Sequence, residues 1–184
     1  MKNKIIIVEG PQGAGKTTFT NLVREKMTST DLYRLQGIKD KTMTGLEKSR
    51  KRYANLLEYM KNTEDMNMLF DRTFFSEEVY CRLGYKEYSF TKVYNELLEK
   101  LNSLNSEIYF IVLYLDEQNE YEERLKRDKH GYQEFKVQNS IMQQEAYLKL
   151  ADEVEETAKN IKVIRFENSS KQNLDERIEA LFSL

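Results

Sequence analysis

Residues 5–27 read IIIVEGPQGAGKTTFTNLVREKM. Ile5 to Val8 is a short β-branched run without alternation, the pattern of a parallel strand covered on both faces. Beyond Gly15 the residues Phe19, Leu22, Val23 and Met27 recur at helical spacing, so a glycine-rich turn joins a strand to a helix. That turn, Gly10-Pro-Gln-Gly-Ala-Gly-Lys-Thr17, satisfies GxxxxGK[ST] in the context the P-loop mechanism demands. Its glycines permit positive φ and close backbone approach, letting successive N–H groups converge on phosphate oxygens at a helix N-terminus. Gly10, Gln12, Gly13, Ala14, Gly15, Lys16, Thr17 and Thr18 are therefore the expected cradle for a nucleoside triphosphate. Lys16 would reach the β- and γ-phosphates, and the Thr17 hydroxyl would ligate Mg²⁺.

The rest of the chain repeats this alternation. Strand signals fall at Asp31–Leu35, at Met68–Phe70 ending on Asp71-Arg72, at Ile108–Leu115 ending on Asp116, and at Ile161–Phe166. Helical segments are expected at Thr44–Met60, 74–83, 91–104, 118–128 and 138–158, with a last helix running through Leu181. Strands alternating with helices predict an α/β fold, a three-layer doubly wound sandwich around a five-stranded parallel sheet. A length of 184 residues suits one domain, residues 1–184. The hydrophilic run RLKRDKHGYQEFK, from Arg124 to Lys136, reads either as a solvated helix end or, by its place after the fourth strand, as a lid at about 124–136.

Bulk composition narrows the function. A net charge of −2 lacks the positive excess of a protein that coats nucleic acid, so nucleic acid is not an expected partner. The one cysteine, Cys81, cannot form an intramolecular disulfide, no secretory signal opens the sequence, and no apolar run reaches the ~20 residues of a membrane span. A cytoplasmic protein without membrane attachment is expected. The lone His130 cannot anchor a metal cluster.

Asp71 closes a buried strand, where a carboxylate is costly unless it meets a cation or donors. Parallel-sheet geometry sets strand C-termini beside the P-loop, so Asp71 can face Mg²⁺ or an acceptor hydroxyl and Arg72 can bridge phosphates. The plainer alternative is that Asp71 and Arg72 only cap the next helix.

With the P-loop preceded by Glu9, the stretch DRTFFSEEVY at 71–80 resembles the thymidylate kinases and, more distantly, the deoxynucleoside kinases. Asp71, Arg72, Phe75, Ser76 and Tyr80 stand in that family's positions, and YLDEQNEYEERLKRD is similar to its strand, helix and arginine-bearing lid. The likeness continues through Tyr147-Leu-Lys-Leu-Ala151. It implies a nucleoside-monophosphate-kinase type of P-loop fold that transfers the γ-phosphoryl group of ATP, with Mg²⁺ held by Thr17 and Asp71, to a pyrimidine deoxynucleoside monophosphate such as dTMP. Lys16, Asp71, Arg72, Arg124 and Arg127 would be catalytic, Arg72 holding the acceptor phosphate and the two lid arginines closing over the triphosphate. Glu9, Phe75, Ser76 and Tyr80 would shape the acceptor site, and a homodimer is implied. Arg50, Arg52 and Tyr53 fall on the long helix where the family reads the base, although EKSRKRY also reads as a solvated basic face.

Departures keep other acceptors open. Gln12 stands where many thymidylate kinases carry an acid, and Thr73 where an aromatic often follows the Asp-Arg pair. Deoxynucleoside kinases place a glutamate base after the second strand; YRLQGIKDK offers only Asp40 nearby. The alternatives are a deoxynucleoside kinase, a kinase acting on a polynucleotide end or modified base, and an ATP-binding regulatory protein without catalysis.

Overall fold

The computed structural model of the chain describes residues 2–127, 136–169 and 171–183. Five strands, β1 (Lys4–Glu9), β2 (Thr30–Arg34), β3 (Asn67–Asp71), β4 (Glu107–Tyr114) and β5 (Ile161–Glu167), pair in parallel in the order β2-β3-β1-β4-β5. Between and after them run α1 (Lys16–Lys26), α2 (Met43–Asn62), α3 (Phe74–Arg82), α4 (Thr91–Asn102), α5 (Gln118–Arg127), α6 (Val137–Thr157) and α7 (Leu174–Phe182). The doubly wound α/β architecture is the one the alternating pattern predicts.

Why the strands read as unbroken apolar runs is visible in their packing. In β1, Ile5 and Ile7 face one hydrophobic cluster and Ile6 and Val8 face the other, all four fully buried. Successive strand side chains point to opposite faces, so a strand covered on both sides needs apolar residues at every position. β4 repeats the division, with Ile108, Phe110 and Val112 on one face and Tyr109, Ile111 and Leu113 on the other. The larger cluster packs α2, α3, α4 and α6 through Tyr53, Phe74, Leu97 and Leu150; the smaller packs α1 and α7 through Phe19, Val23 and Ile178. No helix among the described residues is long and apolar enough to cross a membrane.

Topology then fixes where a ligand can sit. From β1 the chain winds outward to β2 and back to β3 on one side, then crosses to β4 and β5 on the other. Such a switch point leaves a crevice at the carboxyl ends of the central strands, the usual ligand position in open α/β sheets. Val8 pairs with Asp71 and Glu9 with Val112, which sets the P-loop, Glu9 and the Asp71-Arg72 corner at one end of the sheet.

Candidate active site

The P-loop is built by backbone conformation. Gly10, Gly13 and Gly15 all have positive φ. At Gly10 a Cβ would lie 2.5 Å from the Leu113 carbonyl oxygen, so the loop can leave β1 alongside β4 only without a side chain. At Gly15 a Cβ would meet the Asn168 amide at 2.5 Å, and that amide donates to the Ala14 carbonyl at 2.7 Å. Asn168, just beyond β5, thus clamps the turn from behind.

The helix that follows is open to an anion. α1 has no side-chain cap and no acid in its first turn, whereas α7 carries both, with Asn173 as cap and Asp175 and Glu176 behind it. The first N–H groups of α1 and the positive end of its dipole thus keep their capacity for a phosphate. Thr17 and Thr18 are exposed at this end. Lys16 is buried, its ammonium donating to the carbonyls of Gly10 at 2.9 Å and Pro11 at 2.7 Å. Burial, and then the Arg72 charge, push its pKa down to about 7 in spite of Asp71 and Glu9. A buried amine short of counter-charge is well suited to bound phosphate.

Arg124 does not extend over the loop. Its guanidinium donates to the carbonyls of Gly13 at 3.3 Å and Asn168 at 2.5 Å and pairs with Glu120 at 2.6 Å, bracing the P-loop from the side. The side chain of Arg127, and the residues 128–135 that hold His130 and most of the predicted lid, lie outside the described residues. Sequence reasoning missed four supports of this half. Ser140 donates to the Gln12 carbonyl at 2.9 Å, Gln143 accepts from the Gln12 N–H at 3.3 Å, and Gln144 ties Leu115 and Tyr121 together beside Asn168's clamp. All are distant in sequence from their partners, and no spacing rule reaches them.

Beside the loop lies a cleft of about 450 Å³ whose lining includes Gln12, Leu35, Gln36, Tyr53, Arg72 and Tyr80. Arg72 follows the last residue of β3 with φ of 73°, a left-handed conformation that costs a non-glycine residue about 1–3 kcal/mol. The bend is held by its N–H on the Val8 carbonyl at 3.1 Å, and it sends the guanidinium to the Tyr80 hydroxyl at 2.5 Å. Among the described residues lining the cleft, Arg72 is the only cation.

Glu9 lies beneath it, fully buried. One carboxylate oxygen accepts from the Thr73 N–H at 2.6 Å and the Thr73 hydroxyl at 3.2 Å, and the other from the Ser76 hydroxyl at 2.5 Å. Since Ser76 gives its only proton to Glu9, the Tyr147 hydroxyl at 2.8 Å donates to Ser76. Desolvation outweighs these donors and raises the Glu9 pKa to about 7. Thr73, a departure from the family's aromatic, therefore has its own use as a carboxylate donor. Asp71 is buried at the strand end with Arg34 3.9 Å away, and the N-cap position of α3 is taken by Thr73, not by Asp71.

The remaining expectations divide. Tyr53 is buried and lines the cleft, its ring set edge-on to Phe74 and Phe90. Arg52 donates to the Gln36 carbonyl at 2.5 Å, while Arg50 is exposed. Of the two, Arg52 is the one that meets the segment after β2, and neither lines the cleft. Phe75 stacks on Phe110 at 4.1 Å and Phe74 at 4.5 Å, fully buried, so its place is in the core and not against a ligand. Asp40 accepts from the N–H and hydroxyl of Thr42, the N-cap residue of α2, pairs with Lys48, and does not line the cleft. Cys81 is half-buried with its thiol pushed up to about 12 by burial, which fits a packing residue.

The site's chemistry fits a nucleotide with its metal. Among the described residues no group of three His, Cys, Asp or Glu could hold a metal ion by itself. Mg²⁺ characteristically takes one or two protein oxygens and completes its shell with phosphates and water, a donor set that Thr17 and Asp71 could supply. A second depression of about 990 Å³ lies at the opposite end of the sheet, lined by Asn3, Thr63 and Ser106 among others and by no P-loop residue.

No protein-family model and no curated protein sequence matches the chain. Solved structures do. The YorR protein of Bacillus subtilis, in complex with phosphorylated GDP, aligns at a TM-score of 0.69 and 18% identity over 97% of this chain and 94% of its own. Deoxyadenosine kinase from M. mycoides, with dCMP and dCDP bound, aligns at 0.64 and 15% over 97% of both chains. Thymidylate kinase from Candida albicans aligns at 0.63 and 16% over 99% of this chain and 90% of its own. At these identities the likeness concerns architecture: the chain has the fold of the P-loop nucleoside monophosphate and deoxynucleoside kinases.

Proposed function

We propose that the protein transfers the γ-phosphoryl group of ATP to a deoxynucleoside monophosphate. The observation that carries this reading is Arg72, the one cation among the described residues lining a cleft that opens beside the P-loop. A guanidinium there can take an acceptor phosphate in a two-pronged, charge-assisted contact and turn its oxygen toward the donor. Tyr80, bound to Arg72, and Tyr53 offer aromatic surface for sugar and base.

In this scheme Lys16 and the α1 amides hold the β- and γ-phosphates, and Mg²⁺, when bound, neutralises charge on the phosphate oxygens. Thr17 and Asp71 are the residues that would hold the ion. Arg124 keeps the loop in shape and has to exchange its carbonyl contacts for phosphate if it is to serve as a lid arginine. Little covalent work is asked of the protein, since positioning and charge stabilisation dominate this reaction.

A bare nucleoside acceptor is less well served. A 5′-hydroxyl needs a base, and the residues after β2 that line the cleft are Leu35, Gln36 and Gly37, with Asp40 outside the lining and engaged by Thr42 and Lys48. The resemblance of the DRTFFSEEVY stretch favours dTMP within the monophosphates. The test is ADP release with thymidine and dTMP, then with other deoxynucleosides and their monophosphates. Turnover with a monophosphate and little with its nucleoside is expected; turnover of nucleosides alone, or of nothing, overturns the reading.

A further inference from the structure

The acceptor cleft does not end at its own walls. A groove of about 1290 Å³ adjoins it, the two spaces sharing Gln12, Gln36 and Tyr80 in their linings, and no residue from Gly13 to Thr18 lines the groove. The cleft's about 450 Å³ already falls in the roughly 300–1,000 Å³ of a complete small-molecule site, so the groove is space that a mononucleotide acceptor leaves unused. Four lysines line it against a single carboxylate, Glu87, in a chain whose net charge is −2. They converge from three separate segments: Lys39 and Lys41 follow β2, Lys86 follows α3, and Lys136 precedes α6. Lys86 is engaged, donating to the Ile38 carbonyl and facing Glu77 at 3.3 Å. Lys39, Lys41 and Lys136 are exposed and form no ion pair with a described residue. The Lys86 contact and the Glu87 N–H on the Lys41 carbonyl at 2.9 Å tie the segment after β2 to the one after α3, so these cations sit on a braced rim. Tyr80 and Tyr85 add aromatic surface, their ring centroids 5.7 Å apart.

Resting on phosphoryl transfer to a 5′-phosphate seated on Arg72, we infer that the acceptor is the terminal nucleotide of an unpaired deoxynucleotide strand, with the next nucleotide lying in this groove. A mononucleotide carries its charge at the 5′ end, which Arg72 meets, and brings nothing for three further cations. A strand brings a phosphodiester for each added nucleotide, and a lysine serves such an anion as a point charge. Aromatic side chains beside a basic track stack on successive bases without reading which base it is. Tyr80 donates the continuity, since it is bound to Arg72 and borders both spaces. In the reaction an oxygen of the strand's 5′-phosphate dianion attacks the γ-phosphorus of ATP, the bond to the β,γ-bridging oxygen breaks, and ADP leaves a strand ending in a 5′-diphosphate. No proton has to be removed. The overall charge argues against coating nucleic acid along its length, and a single groove that holds one strand end is compatible with it.

The experiment measures kcat/KM for ADP release with each deoxynucleoside monophosphate, with its 3′,5′-bisphosphate, and with the 5′-phosphorylated dinucleotide that begins with it. At least one dinucleotide should exceed its mononucleotide by about 10- to 100-fold, the gain of one stacked base with its phosphate, and the advantage should shrink as salt rises. The bisphosphate should recover only part of it. Lys39→Ala/Lys41→Ala, and separately Lys136→Ala, should bring the dinucleotide closer to the mononucleotide, the double variant to within about threefold. The strand inference is overturned if dinucleotides are no better than mononucleotides, if the bisphosphate matches the dinucleotide, or if the lysine variants lower both acceptors alike, as steering of any anion would. Turnover of mononucleotides alone leaves the monophosphate reading standing without the strand, turnover of dinucleotides alone does the reverse, and no ADP from either removes both.

Discussion

Around the P-loop the polar groups come from one continuous segment, Gly10 to Thr17, while the acceptor cleft draws Gln36 from behind β2, Tyr53 from α2, Arg72 from behind β3 and Tyr80 from α3. The donor half presents mostly backbone, fixed by glycine conformations and by one lysine on two carbonyls. The acceptor half presents side chains, and it stands on a buried carboxylate satisfied by Thr73 and Ser76. Backbone recognition suits a ligand that every enzyme of a class shares. Side-chain recognition can change one residue at a time, and that is where specificity has room to differ.

The sharpest way to break the comparison is at Lys16. Lys16→Met removes the buried ammonium of the donor half, and kcat should fall by about 10³-fold, the cost of one preorganised charge contact in a transition state. Thermal stability should hold or rise, because the variant no longer buries an amine whose pKa is depressed to about 7. A variant that melts much earlier would mean that Lys16 is a structural pin of the loop and not a waiting ligand.

The same two halves differ in how they respond to pH. Glu9 has its pKa raised from 4.5 to about 7 by burial, so between those values the native state keeps a proton that the unfolded chain has lost, and stability falls as pH rises. Lys16 has its pKa lowered from 10.5 to about 7, so above 7 the unfolded chain holds the extra proton, and stability rises with pH up to 10.5. The two arms meet in a minimum near pH 7 and, at 1.36 kcal/mol per pKa unit, span at most about 3 kcal/mol for Glu9 and about 5 kcal/mol for Lys16. Chemical denaturation across pH 5–10 should show Glu9→Gln losing the acid arm and Lys16→Met losing the alkaline one. Saturating ATP should flatten the alkaline arm of the wild type, since phosphate restores the lysine charge. Variant curves parallel to the wild type would break the assignment.

These contrasts also explain what could be read from sequence. β1 and β4 were legible because a strand buried on both faces has no polar position, and the P-loop because its function forces glycines at fixed spacing. Arg72 was legible through the Asp-Arg corner at the end of β3. Asn168 was not, since it clamps the Ala14 carbonyl from 154 residues away and its neighbours carry no periodic signal. Glu77 of α3, 1% exposed and in the lining of the acceptor cleft, was hidden by its type, because glutamates on helices are nearly always solvated. The signal that could have exposed it is its setting in FFSEEVYC, a short helix in which Phe74 to Val79 are all buried. Phe75 misled in the opposite way, its family position suggesting a ligand contact when stacking on Phe110 had already taken both its faces' worth of packing.

Within the acceptor half the largest effect belongs to Arg72. Its φ of 73° makes glycine the cleanest replacement, removing the guanidinium without adding backbone strain. Arg72→Gly should raise KM for the monophosphate by about 100-fold, equivalent to the ~1.5–3 kcal/mol of a charge-assisted contact, and leave any weak turnover of the nucleoside unchanged. Equal losses with thymidine and dTMP, or with any such pair, would detach Arg72 from the phosphate and place its role in the Tyr80 contact alone.

The smallest effect separates two arginines that the sequence could not. Arg52 donates to the Gln36 carbonyl and lies with its guanidinium 5.9 Å from the Tyr53 ring, so it ties the segment after β2 to the helix that supplies the cleft's aromatic wall. Arg50, two residues earlier, is exposed and belongs to the solvated face of α2. Losing one charged hydrogen bond at a partly exposed site is worth about 1 kcal/mol, so Arg52→Ala should lower kcat/KM for the acceptor by about 5-fold with KM for ATP unchanged. Arg50→Ala should stay within twofold, and the double variant should match Arg52→Ala. If Arg50→Ala carried the larger loss, or if either change moved the ATP KM as strongly as the acceptor KM, the division between a backbone-built donor half and a side-chain-built acceptor half would have to be redrawn around α2.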